Sequence, residues 1–240
     1  MPDRGVAVVT GAAQGLGRTV AVALAADGWR VAAMDVDGAG LATLAEEAGA
    51  RVRPYQADLA DADATRDVIA RAGAELGSIG YLIHNAAILV PEPFEQVSFA
   101  RWSATLNVQL QAAYLLTHAV WPAMKAAGRG RVVYVSSQSG IKGFADETAY
   151  CAAKHGLEGL MKALALEAEG TGLAVSTITP GMLMHTPMSE RNYDAEAKSK
   201  WVDPALLAPA FTYLGALEDA RHNGERLDAW KLAQGVARGD

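Results

Sequence analysis

The amino-acid sequence predicts an α/β fold: one doubly wound, mostly parallel sheet of about seven strands with helices on both faces. Three observations lead there. Short apolar runs alternate with longer segments whose apolar residues recur three and four apart, as in Leu16-Val20-Leu24 and Leu157-Leu160-Met161-Leu164. Glycine and aspartate punctuate the joins, at Asp27-Gly28, Asp37-Gly38, Gly77 and Gly128-Arg129-Gly130. The 240 residues, 51% hydrophobic and 20% charged, suit one large core and argue against disorder. With no repeat and no linker in sight, residues 1–240 are expected to form a single domain.

The first strand-like run, 6–9, ends in Thr10-Gly11-Ala12-Ala13-Gln14-Gly15-Leu16-Gly17 and passes at once into the helical run 18–26. Glycines let a backbone turn sharply and approach a pyrophosphate, and a helix N-terminus offers N–H groups and a positive dipole end. The same spacing serves an ordinary strand–helix turn; its place as the first such unit of an alternating chain favours the phosphate. The second run, 30–34, leads into Asp35, 18 residues after Gly17. A carboxylate there accepts both hydroxyls of an adenosine ribose, or simply caps the next helix. No arginine in the turn or just beyond Asp35 offers to hold a 2′-phosphate; Arg18, on the helix, is the one rival.

The runs 51–56 and 81–84 are followed by Asp58-Leu59 and Asn85-Ala86-Ala87. Residues 102–124 then contain no Asp, Glu, Lys or Arg over 23 positions, yet they carry Ser103, Thr105, Asn107, Gln109, Gln111, Thr117 and His118. Those polar groups are costly in lipid, so the stretch reads as a long helix covered mostly by protein. The fifth run, 131–135, ends at Ser136-Ser137-Gln138-Ser139. After the sixth, 173–178, come Pro180-Gly181 and an irregular region rich in Met, Pro and charge, with 182–203 the expected substrate loop. The last run, 225–228, is short.

Tyr150 and Lys154 stand four apart in what reads as the first turn of a helix, so they share a face. An ammonium beside a phenol favours the phenolate and draws its pKa down from about 10. A tyrosine so tuned takes a proton from an alcohol while a nicotinamide takes the hydride. Tyr-x-x-x-Lys is also frequent on surface helices; Ser137, 13 residues before Tyr150 at a strand end, favours the catalytic alternative.

Over essentially its whole length the chain resembles the short-chain dehydrogenase/reductase family, whose sheet is Rossmann-type. Thr10-Gly11-x-x-x-Gly15-x-Gly17 matches the family's coenzyme turn, Asp58-Leu59 its adenine pair, and Asn85-Ala86-Ala87 its Asn-Ala-Gly segment with alanine for glycine. Asn107 matches the asparagine of the proton relay, and Pro180-Gly181 the turn beside the nicotinamide. Two departures stand out: His185 occupies the usual threonine position, with Thr186 one residue later, and the tail reads Asn223-Gly224-Glu225-Arg226-Leu227-Asp228-Ala229-Trp230.

The resemblance implies that Ser137, Tyr150, Lys154 and Asn107 are catalytic, with Tyr150 the acid/base, Ser137 holding the substrate oxygen, and Asn107 linking Lys154 to solvent through a distorted helix turn and a water. It assigns the coenzyme to Gly11, Gln14, Gly15, Leu16, Gly17, Asp35, Asp58, Leu59, Asn85, Tyr150, Lys154, Pro180, Gly181, Leu183 and Thr186. With Asp35 the coenzyme is NAD, and the reaction reversible hydride transfer with a secondary alcohol or ketone, of polyol, sugar or hydroxy-acid type. The alternatives are an NADP-dependent 3-oxoacyl-carrier reductase and a non-catalytic dinucleotide-binding sensor or scaffold; the latter would be free to lose Ser137, Tyr150 or Lys154. Family members pair the helices matching 102–124 and the Tyr150 helix across a twofold, so a homotetramer is expected, with a dimer as fallback.

Other classes are set aside on composition. A net charge of −6 and no lysine/arginine run speak against nucleic acid. One cysteine, Cys151, allows no internal disulfide and fits a reducing compartment. The opening Met1-Pro2-Asp3-Arg4 runs straight into a strand without room for a signal peptide, so a soluble, cytoplasmic chain is expected, with no membrane partner. Histidines 84, 118, 155, 185 and 222 lack ligand spacing, so no metal is expected; His185 either lines the pocket or faces water. Cys151 reads as a buried structural thiol, and no Gly-x-Ser-x-Gly elbow makes Ser136, Ser137 or Ser139 a nucleophile. Met182, Met184 and Met188 are loop packing or an adaptable apolar lid.

Overall fold

Among the described residues seven strands form one sheet in which every neighbouring pair runs parallel. They are β1 (Val6–Thr10), β2 (Arg30–Asp35), β3 (Val52–Gln56), β4 (Ile79–His84), β5 (Gly130–Val135), β6 (Leu173–Thr179) and β7 (Arg226–Asp228), in the order β3-β2-β1-β4-β5-β6-β7. The computed structural model describes residues 3–239; Met1, Pro2 and Asp240, the ends of the expected domain, lie outside the described residues.

Parallel sheets bury both faces, and the side chains of β1 divide accordingly. Ala7 and Val9 join one apolar layer, Val6 and Val8 the other. The first layer packs α1 (Gly15–Ala26), α2 (Gly38–Ala48), α9 (Ala208–Ala216) and α10 (Ala229–Arg238) on the sheet. The second packs α3 (Ala62–Leu76), α5 (Ala112–Ala127) and α6 (Thr148–Ala168). The chain moves outward from β1 to β3, then returns to place β4 on the other side of β1. This reversal opens a crevice at the carboxyl ends of the central strands.

The uncharged stretch is helical, as its composition predicts, but one segment differs in kind. α4 (Phe99–Leu106) runs through a π-helical turn, Asn107–Gln111, into α5. Among the described residues no helix is long and apolar enough to cross a membrane. The expected substrate loop is also more regular than its composition suggests: it folds as α7 (Pro187–Asn192) and α8 (Ala195–Lys198), capped by Thr186 and Asp194.

Candidate active site

A cleft of about 750 Å³ lies at the carboxyl ends of the strands, in the upper range for ligand sites. At one end β1 turns into α1. Gly11 and Gly15 adopt φ of +65° and +57°, which a side chain rarely tolerates. A Cβ on Gly17 would overlap the Gly11 carbonyl oxygen and lie 2.6 Å from Asn85 Nδ2, so the turn closes on itself only because that carbon is missing. Asn85 Nδ2 donates to the Thr10 and Gly11 carbonyls, both at 3.1 Å, and its backbone N–H donates to Thr10 Oγ1. The first turn of α1 carries neither a capping side chain nor an acidic residue, leaving its N–H groups to an incoming anion.

Asp35 ends β2 beside this turn. One carboxylate oxygen accepts the Ala13 N–H and the other the Asp37 N–H, each at 3.0 Å, and the side chain lines the cleft. Arg18 turns away: its guanidinium meets Glu47 at 2.7 Å and donates to the Ala13 and Gly40 carbonyls. Asp58 and Leu59 line the same end, Asp58 accepting the Ala60 N–H. A cradle stripped of Cβ atoms, an uncapped helix N-terminus and a carboxylate lining the same cleft fit a dinucleotide.

Ser137 leaves β5 in extended backbone, its hydroxyl 3.3 Å from Ser139 Oγ and accepting the Ser139 N–H. Tyr150 and Lys154 project from the first turns of α6, as their spacing predicts, with Lys154 Nζ 5.4 Å from the Tyr150 ring centroid. Lys154 is buried and donates to the Val135 carbonyl at 2.7 Å. Desolvation draws its pKa down to about 7, the charge of Glu158 opposing. Packing pushes the Tyr150 phenol above its ordinary value, Tyr193 adding to the rise and a hydrogen bond with Ser137 countering it. In this structure desolvation is the largest influence on both groups, raising the phenol and lowering the ammonium, while the hydrogen bond with Ser137 pulls Tyr150 back down.

Of the residues named from the sequence, Ser137, Tyr150, Lys154, Gly11, Gln14, Gly15, Leu16, Asp35, Asp58, Leu59, Asn85, Pro180, Gly181, Leu183 and Thr186 all line the cleft. Two do not. Gly17 packs behind the turn, and Asn107 opens the π turn with its side-chain amide donating to the Ala60 carbonyl at 3.2 Å. The predicted helix distortion is present; the asparagine side chain is spent on the loop before α3.

At the far end, Gly181 has φ of +78° and a Cβ there would strike the Asp228 carboxylate. Thr186 caps α7, accepting the Ser189 N–H at 3.1 Å, and its methyl group faces Gly15. Met182, Met184 and Met188 line the cleft, whereas His185 faces out, stacked on Trp201 at 4.6 Å and 3.1 Å from Glu190. Cys151 is only partly buried, its thiol toward the Lys142 carbonyl.

Two buried groups carry supporting roles that the sequence reading did not assign. Buried His84 receives the Thr10 hydroxyl on Nδ1 and donates Nε2–H to the Gln109 carbonyl, both at 3.0 Å, tying the coenzyme turn to the π turn. Burial and the Lys154 charge hold its pKa down to about 3, so the ring is neutral. Glu158, one turn past Lys154, accepts from Ser136, Thr177 and Arg226 and locks β5, β6 and β7 beneath the site. The one signal for either was a charged or titratable residue inside an apolar pattern.

The short chain dehydrogenase family model matches residues 5–197. The chain is 33% identical to D-threitol dehydrogenase of Mycolicibacterium smegmatis over 237 residues, covering 94% of this chain and 91% of that protein. It is 33% identical to D-beta-hydroxybutyrate dehydrogenase of Cupriavidus necator, covering 82% and 77%. Among solved structures it superposes on a metagenomic short-chain oxidoreductase in complex with NADP with a TM-score of 0.81 and 30% identity, covering 94% of this chain and 97% of that one.

Proposed function

The chain belongs to the short-chain dehydrogenase family, and on that premise we propose that it is an NAD-dependent enzyme that interconverts a secondary alcohol and its ketone, with Tyr150 as acid/base. When bound, the nicotinamide donates or accepts the hydride. The convergence of Ser137, Tyr150 and Lys154 on one cleft with the glycine turn carries this reading. Tyr150, protonated in its packed setting, is ready to give its proton to a substrate oxygen. Ser137 orients that oxygen and supports the phenolate in the reverse direction. Lys154, anchored on Val135, supplies a positive charge beside the phenol in its protonated form. Asn107 contributes as a positioning residue, by opening the π turn.

Asp35 supports NAD. A 2′-phosphate would bring about two negative charges against its carboxylate, while Arg18 is engaged with Glu47 and Gly40. The NADP complex of the structural relative favours the other coenzyme, so the assay compares both. Coenzyme reduction with a panel of secondary alcohols is expected with NAD foremost. Tyr150→Phe should lose activity by roughly 10²–10⁴-fold and keep coenzyme binding. Absence of turnover with either coenzyme, or full activity in that variant, overturns the reading.

Self-association belongs to the same proposal. Phe99 and Tyr114, on α4 and α5, and Leu166 on α6 are exposed large apolar side chains suited to a partner copy. Light scattering is expected to give a tetramer, or a dimer; a stable 25.1 kDa monomer would refute it.

A further inference from the structure

Glu147 sits at the substrate end of the cleft and does none of the work its position suggests. It is the N-cap residue of α6, one turn before Tyr150, yet its side chain caps no N–H of that helix. Its carboxylate instead lines the cleft and accepts the Ser139 hydroxyl at 2.8 Å. Tyr150 and Tyr193 line the same cleft, and the Glu147 charge raises both phenols.

No cation among the described residues neutralises it. Lys154 is held on the Val135 carbonyl, Lys200 is 2.7 Å from Glu196, and Arg101 is 3.7 Å from Glu92. Glu147 is half-buried in the cleft wall, and with one oxygen on Ser139 it offers the rest of its carboxylate to a ligand. A carboxylate only accepts hydrogen bonds, so that ligand must donate. The Tyr193 phenol lines the same cleft and has a hydrogen to give, so a ligand group that also accepts satisfies the pair. A hydroxyl does both. An ammonium only donates, and a carboxylate would meet Glu147 as a like charge.

We propose that Glu147 sets the substrate class: the cleft takes a neutral polyhydroxy alcohol whose second hydroxyl donates to Glu147, and it rejects substrates bearing a carboxylate at that place. This rests on the oxidoreductase reading above and narrows it. Ser139 becomes a positioning residue, its hydroxyl fixing one carboxylate oxygen and leaving the other to the substrate.

The test compares kcat/KM for three four-carbon probes with NAD: 2-butanol, a tetritol and 3-hydroxybutanoate. The wild type is expected to favour the tetritol over 3-hydroxybutanoate by at least about tenfold. Glu147→Gln keeps the shape and removes the charge; it should raise kcat/KM for 3-hydroxybutanoate roughly tenfold and raise KM for the tetritol. A wild-type ratio below tenfold, or a variant ratio unchanged from wild type, overturns the proposal. If Glu147→Gln does not fold, the wild-type ratio alone decides. Turnover of all three without selectivity strikes this inference only, whereas no turnover of any strikes the oxidoreductase reading and this inference with it.

Discussion

The two ends of the cleft are built differently. At the coenzyme end, polar contacts run between backbone groups and short buried or half-buried side chains: Asn85 on the Thr10 and Gly11 carbonyls, Asp35 on the Ala13 N–H, His84 between Thr10 and Gln109. At the substrate end, α7 and α8 are held by exposed long side chains, with Lys198 on Glu190 and His185 on Trp201, around a lining of methionines. The first is stiff because its donors and acceptors have little freedom to lose; the second keeps most of its side-chain freedom. One fold can therefore hold a constant coenzyme while its substrate end varies.

Gly17→Ala should break the stiff end most severely. The added methyl overlaps the Gly11 carbonyl and crowds Asn85, so a loss on the order of 3 kcal/mol in stability is expected, with coenzyme affinity falling in parallel. Thermal denaturation with and without coenzyme reads both; an unchanged Tm would mean the turn yields more easily than its contacts suggest.

Lys154→Met tests burial at the junction of the two ends. Lys154 has a pKa of about 7 folded and its ordinary high value unfolded, so between these the unfolded chain binds more protons and wild-type stability rises with pH. Between pH 7 and about pH 9 the wild type should gain on the order of 2 kcal/mol relative to Lys154→Met. Parallel stability curves for the two proteins would place the lysine in water. Activity should fall in the variant at every pH.

Asp35→Ser probes coenzyme choice without disturbing the substrate end. The proposed NAD preference in kcat/KM should shrink by about tenfold, because charge repulsion and paired ribose acceptance are lost together. An unchanged ratio would leave Asp35 only its Ala13 and Asp37 hydrogen bonds.

The smallest effect is expected from Glu190→Gln, which loosens the pairs to Lys198 and His185 at the substrate end. Exposed pairs contribute little, so Tm should stay at the wild-type value. KM for the alcohol should move by no more than about threefold and that for the coenzyme not at all. A large fall in Tm would erase the contrast between the two ends.

What the sequence alone determined lies within a few residues along the chain. The seven strands and their parallel order class follow from alternation, and the three glycines, Asp35 and the Tyr150–Lys154 pair follow from strand ends and the helical repeat, because covalent geometry fixes what stands four residues away. Tertiary structure decided the rest. Asn107 is spent on Ala60, 47 residues back, and Arg226 reaches Glu158 across 68 residues. His185 and Thr186 are neighbours in sequence, yet one faces water and the other the cleft. The Tyr150–Lys154 pair shows the division most clearly. Its spacing was legible, but its ionisation depends on how much water the surrounding sheet and helices remove, and that desolvation is a property of the packed molecule.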